Sequence, residues 1–139
     1  MKTLSNLRRM IERWRLPPST GERGENLAAT HLKKQGYRIL ARNVRNRTGE
    51  IDIVAQAPDE RTVVIVEVKA SAASLPNFTP EMHVTPRKQR KLITLAAQLA
   101  KRYKLTDRPI RFDVIAIENV EEATPVLRHH QGAFTSDIR

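Results

Sequence analysis

Along this chain the apolar residues recur first at helical spacing, then at strand spacing, then at helical spacing again, and those changes of period mark out its elements. Leu27, Ala28 and Leu32 form a narrow stripe that predicts a helix opening at Ser19 and running to about Gln35. Ser19 and Glu22 have the spacing of a capping box, and Gly36 stands where a left-handed residue would end the helix. Tyr37 to Ala41 reads as a first strand, followed by a basic loop over 42–48. Strands are expected at about 50–56 and 62–69, joined in an antiparallel hairpin by the turn-rich run Ala57-Pro-Asp-Glu-Arg61. Thr85 as N-cap and Pro86 as first helical residue open a second helix, which runs to about Lys104 and buries Leu92, Leu95, Ala96 and Leu99. Arg111 to Glu118 is a further strand. The loop from Ala70 to Val84 holds Pro76 and Pro80 and is expected to be mobile. The tail after Val120 has no assignable pattern.

The order is therefore α-β-β-β-α-β, an α/β domain with a mixed sheet flanked by helices. Ahead of it, Leu4, Leu7, Ile11 and Trp14 recur at helical spacing among arginines, and Pro17-Pro18 ends the segment. The expected division is a basic N-terminal arm or short helix at 1–18, one domain at 19–120, and a tail at 121–139 packed on that domain or extending it. A chain of 139 residues fits that single domain. His31, beside the first stripe, reads as a helix-surface residue rather than a metal ligand, because no second histidine lies near it in the sequence.

The two central strands are apolar except at points where charge is costly. The first carries Glu50 and Asp52, the second Glu67 and Lys69. Strict alternation puts Glu50, Asp52 and Val54 on one face and Ile51, Ile53 and Ala55 on the other. In the second strand it puts Val63, Ile65, Glu67 and Lys69 together. A hairpin would bring Asp52, Glu67 and Lys69 to one spot at its open end. Two close carboxylates repel, and a hard divalent cation such as magnesium relieves the repulsion. Lys69 could then hold a water or neutralise phosphate charge. An internal ion pair of Lys69 with Glu67 or Asp52 accounts for the spacing almost as well.

Net charge changes the balance between those readings. It is +10, with a pI near 10.7. From Lys33 to Arg47 and from Arg87 to Lys104 every charged side chain is positive. Such runs favour a polyanionic partner, and phosphate would be drawn to the acidic spot by them. The absence of cysteine excludes disulfides and thiolate zinc sites. No apolar run has the roughly 20 residues of a membrane helix, so no stable membrane insertion and a cytoplasmic location are expected.

With these residues in view, the chain is identified as resembling a known family. Asp52…Glu67-Val68-Lys69 is similar to the core motif of restriction-endonuclease-like, PD-(D/E)xK, nucleases. The blocks GENLAATHLKKQGYRILARNVR from Gly24, GEIDIVA from Gly49, IVEVK from Ile65, VTPRKQRKL from Val84 and RFDVIA from Arg111 resemble the UPF0102 (YraN) family of small bacterial endonuclease-like proteins. The layout is also similar to that of archaeal Holliday-junction resolvases. The resemblance implies a restriction-endonuclease-like fold, with Asp52, Glu67 and Glu25 as ligands of Mg²⁺ or Mn²⁺ and Lys69 as the catalytic lysine. It implies phosphate contacts from Arg87, Lys88, Arg90 and Lys91 at the start of the second helix, where the dipole also favours anions. Arg42, Arg45 and Arg47 join them as nucleic-acid contacts. Glu50 is assigned either to the metal or to a salt bridge with a nearby arginine, and Gln89 to an auxiliary place near the site. Asp113 is expected to brace the sheet, against Arg111 or a loop arginine. By analogy with the resolvases, a homodimer is implied.

The chain departs from the family where Ala70-Ser71 follows the lysine in place of Thr-Arg, and where Val44 stands in place of an aromatic residue. Two functions compete. One is a metal-dependent endonuclease acting on DNA, branched or structured DNA among its substrates. The other is a non-catalytic nucleic-acid-binding or recruitment module on a nuclease fold. Two adjacent acids oppose phosphate affinity, which favours the enzyme. An aromatic content of 4% weighs against a binder that stacks single-stranded bases.

Overall fold

The computed structural model describes residues 21–74 and 84–136. The basic segment 1–18 and the proline-containing stretch 75–83 lie outside the described residues. Among the described residues, two helices and five strands follow in the order α1 (Glu22–Lys34), β1 (Arg38–Arg45), β2 (Glu50–Gln56), β3 (Val63–Ala70), α2 (Pro86–Arg102), β4 (Ile110–Glu118) and β5 (Val126–Phe134). The sheet order is β1-β2-β3-β4-β5. Only β3 and β4 run parallel, and α2 makes the crossover between them; the other pairs are antiparallel. This is the expected α-β-β-β-α-β layout with one more strand.

The helices cover opposite faces of the sheet and define two cores. On one face Leu92, Leu95, Ala96 and Leu99 of α2 pack on Leu40, Val44, Ile51, Val54, Ile65 and Val114. On the other, Ala28, Ala29 and Leu32 of α1 pack on Ile53, Ala55, Val64, Val66, Ile115 and Ile117. Strands β3 and β4 are buried on both faces, which is why TVVIVEVK and RFDVIAIE read as nearly continuous apolar runs.

Local signals set most of the element ends. The α1 helix stops in a Schellman motif: Gly36 adopts φ 89, its amide donates to the Lys33 carbonyl, and the Tyr37 amide donates to Leu32. Thr85 caps α2, its hydroxyl accepting from the Lys88 amide at 3.2 Å. The start of α1 differs from expectation. Gly21, at φ 99, is the N-cap and the helix begins at Glu22, while Ser19 lies outside the described residues. The segment read as a basic loop is also different. Arg42 and Arg45 belong to β1, paired with Ile53 and Glu50, and the turn is confined to 46–49, closed by the Asn46 amide on the Gly49 carbonyl. A long hairpin ladder outweighs the polarity of the side chains on this edge strand.

The unassigned tail supplies β5, whose residues are half-buried or exposed throughout, so no alternation betrays it. Its pairing with β4 jumps from Phe112↔Phe134 to Val114↔His130, leaving two extra residues on β5. Gly132 takes φ 58 within that irregularity.

Candidate active site

The sheet splits at one point. Strands β2 and β3 are paired from Gln56↔Val63 to Ile53↔Val66, and the ladder ends there. Continued by one step it would have set Asp52 opposite Glu67. Instead the strands diverge, and the Asp52 carboxylate takes the ladder's place, its Oδ2 accepting from the Val68 amide at 2.8 Å. Ile51 and Ile53, two residues apart, belong to opposite cores, so β2 turns over at Asp52. This corrects the strict alternation read from the sequence: Ile51 and Val54 share the α2 face, while Ile53 and Ala55 face α1. On β3 the expected alternation holds, with Val63 and Ile65 in one core and Val64 and Val66 in the other.

Because the sheet is open here, acids from both faces meet. Carboxylate oxygens of Glu25, Glu50 and Asp52 lie within 4.8 Å of one another. Glu67 hydrogen-bonds Asp52 from the other side. Glu25 arrives on α1, which presses closely on the end of β3: a Cβ on Gly24 would stand 2.6 Å from the Cβ of Ala70. Only glycine permits that approach, and Glu25 follows it directly in the chain.

Cations surround the acids without saturating them. Arg42 Nη2 lies 3.7 Å from Glu25, and Arg45 donates to Glu50 at 2.9 Å. Lys88 Nζ and Lys69 Nζ stand 3.5 and 3.9 Å from the same oxygen of Glu67. Yet Glu25 Oε2, Glu50 Oε1 and Glu67 Oε2 are buried without a hydrogen-bond partner. Burial, then the bond and charge of Glu67, push Asp52 up to about 9, against the lowering effect of the Val68 amide; the charge of Glu25 adds to the rise. Burial also raises Glu25, against the lowering pull of Asn43 and Arg42.

The sequence-derived residues are placed differently. Glu25, Asp52, Glu67, Lys69 and Glu50 come together. Lys88 and Arg42, expected as nucleic-acid contacts, are turned onto Glu67 and Glu25. Glu50 has both of its anticipated relations, the salt bridge to Arg45 and a place in the carboxylate cluster. Arg47, Arg87, Arg90 and Lys91 are exposed, and Lys91 lines a cleft of about 310 Å³ with Arg45, Glu50 and Lys88. Gln89 is spent elsewhere, donating to the Val84 carbonyl at 2.8 Å.

Two residues escaped the sequence reading. Asn43, buried in mid-strand at φ 54, hydrogen-bonds Glu25. Its signal was available, since asparagine is depleted in strands. The other is His129, on the unassigned β5. Its Nδ1 stands 3.2 Å from His31 Nε2, so a second histidine does lie beside His31, 98 positions away in sequence.

Comparison with known proteins shows the family. The model of a family described as "Uncharacterised protein family UPF0102" matches residues 24–117. A UPF0102 protein of Pelobacter propionicus is 45% identical over 116 residues, covering 84% of this chain and 82% of the relative. One from Geotalea uraniireducens is 42% identical over 118 residues, covering 84% and 89%. One from Symbiobacterium thermophilum is 44% identical over 114 residues, covering 82% and 94%.

Proposed function

The chain belongs to the UPF0102 family, and on the geometry of its carboxylate cluster we propose that it is a metal-dependent endonuclease hydrolysing phosphodiester bonds in DNA, branched or structured DNA among its substrates. The observation that carries the reading is the opening between β2 and β3, where Asp52 and Glu67 meet with Glu25 and Glu50 under two lysines.

The donor set suits Mg²⁺ or Mn²⁺. It is all oxygen, and three buried carboxylate oxygens have no hydrogen-bond partner. Asp52, Glu67 and Glu25 would hold the ion, with Glu50 beside them. What the ion supplies when bound is Lewis-acid polarisation of the phosphate and of a water. The remaining work falls to the chain's own groups. Lys69, partly exposed at the mouth of the cluster, holds and orients the attacking water. Lys88, next to the same Glu67, offsets charge that builds on the phosphate oxygens. A P–O bond forms to that water, which gives up a proton to solvent, as the P–O bond to the leaving sugar oxygen breaks and that oxygen takes a proton from solvent. Exposed Arg47, Arg87, Arg90 and Lys91 hold the flanking phosphates, so affinity should fall steeply with salt. A two-fold homodimer would offer two such sites to a branched substrate.

The test is cleavage of linear duplex, single strand, flap and four-way junction with Mg²⁺ and with Mn²⁺, for the wild type, Lys69→Ala and Glu67→Ala. Cutting that requires metal and falls at least about 10³-fold in both variants is expected. Salt-dependent binding without cutting on any substrate would replace this reading with the non-catalytic recruitment module.

A further inference from the structure

A second cluster, built on β4, β5 and the C-terminal half of α1, plays no part in the proposed cleavage. Asp113 of β4 is fully buried and accepts from Arg111 at 2.9 and 2.8 Å, from the Gly132 amide at 3.0 Å, and from His129 Nε2 at 2.7 Å. Burial alone would raise its pKa, but these donors outweigh it and hold the carboxylate ionised. An ionised Asp113 can only accept, so Nε2 of His129 carries the ring proton. With its proton on Nε2, a neutral imidazole leaves Nδ1 as the bare nitrogen, and it is Nδ1 of His129 that faces His31. His31 Nε2 faces it at 3.2 Å, the rings meeting edge to face.

That spacing has a chemical meaning. Two imidazole nitrogens bound to one tetrahedral zinc at the usual bond lengths stand about 3.3 Å apart. A ligating histidine commonly gives its other N–H to a carboxylate, as His129 does to Asp113. Both rings line an open cavity of about 420 Å³ together with Tyr37, Asp59 and Arg111, so an ion and its waters can reach them. Arg111 spends its charge on Asp113, while Asp59 is held ionised, with a pKa of about 2, by Thr62 and Arg61. Burial, and then the charge that His129 carries when protonated, lower the pKa of His31, which favours its neutral, ligating form.

We propose that His31 and His129 together hold a divalent first-row transition ion of the zinc class, with water completing its coordination. Such an ion ties α1 to the edge strand β5. It also braces the helix that carries Glu25, six residues and about 9 Å along its axis from His31. The proposal stands independently of the nuclease reading.

The experiment titrates the full-length, metal-stripped chain with Zn²⁺ in excess Mg²⁺, following the ring signals of its 4 histidines by NMR and the thermal midpoint. One equivalent is expected to move the signals of His31 and His129 and leave His83 and His130 in place. The thermal midpoint rises with Zn²⁺. In His31→Ala, whose fold is checked by circular dichroism, Zn²⁺ affinity falls at least ten-fold and the rise in midpoint disappears. The proposal is overturned if Zn²⁺ leaves both ring signals in place, if it moves those of His83 or His130 instead, or if His31→Ala binds as the wild type does. The wild-type spectra decide the matter even if the variant does not fold.

Discussion

Asp52 and Asp113 sit in the same sheet, two strands apart, and the chain treats them in opposite ways. Asp113 is wholly enclosed, yet every direction around it is filled: a bidentate arginine, a histidine and a backbone amide. Its carboxylate is held below the ordinary range. Asp52 receives one backbone amide and is otherwise pressed against other acids, which with burial raise it to about 9. Both arrangements cost desolvation, but only one repays it within the chain. The difference teaches where to look for structure and where for function. A buried acid with all its partners is a brace. One whose partners are further acids is the place to look for a ligand.

The sharpest break of this contrast is Asp113→Ala. It strands the Arg111 guanidinium, His129 and the Gly132 amide, and Arg111 also holds the Tyr37 hydroxyl at 2.6 Å. The expected loss is about 3–5 kcal/mol, the range for removing one partner of a buried ion pair. Urea denaturation measures it directly. A loss below about 1 kcal/mol would mean that Asp113 is no brace and that the contrast is false.

Asp52→Asn should act with the opposite sign in metal-free protein. Folded Asp52 keeps its proton up to about pH 9, while the unfolded chain releases it near the ordinary value of 3.8. Between those limits folding takes up a proton. The contribution to stability is therefore fully present below pH 4 and declines as pH rises toward 9. The substituted amide cannot ionise and still offers an oxygen to the Val68 N–H. At pH 8 with chelator the variant should be more stable than the wild type by about 1–3 kcal/mol, with a flatter stability profile from pH 4 to 9. If the cluster holds Mg²⁺ as proposed, Mg²⁺ stabilises the wild type and the variant loses that stabilisation. A variant less stable than the wild type at pH 8 would show that Asp52 is not under strain. Asp113 titrates the other way: its contribution is present above about pH 4 and is lost as pH falls through its lowered folded value.

The two regions also differ in how far the sequence exposes them. Asp52, Glu67 and Lys69 stand out because charge interrupts apolar strands, and a hairpin brings them together by local rules. Gly36 and Thr85 were equally legible, since a left-handed stop and an N-cap are decided within a few residues. What was hidden depends on distant chain. Nothing local says that β2 turns over at Asp52. A run of positive charge reads as surface, yet Arg42 and Lys88 are drawn inward because unpaired acids already lie there. Strand β5 is a half-exposed edge without alternation, so His129 could not be placed beside His31 until the sheet was assembled.

The smallest effect tests whether the acidic end depends on fine positioning as well as on charge. Thr85 caps the helix whose first turn carries Lys88, and it does so by accepting from the Lys88 amide itself. Thr85→Ala leaves that amide to water and should cost about 1 kcal/mol, while Thr85→Ser, which keeps the hydroxyl, should cost only a few tenths. If Lys88 matters only as one charge in a diffuse positive field, a frayed first turn changes nothing else. If its placement beside Glu67 matters to the proposed metal site, Thr85→Ala also weakens any stabilisation by Mg²⁺, and serine restores it. Thermal midpoints with and without Mg²⁺ for the three proteins separate these cases. The Asp113 end, where every donor is locked by its neighbours, offers no comparable sensitivity to a single cap.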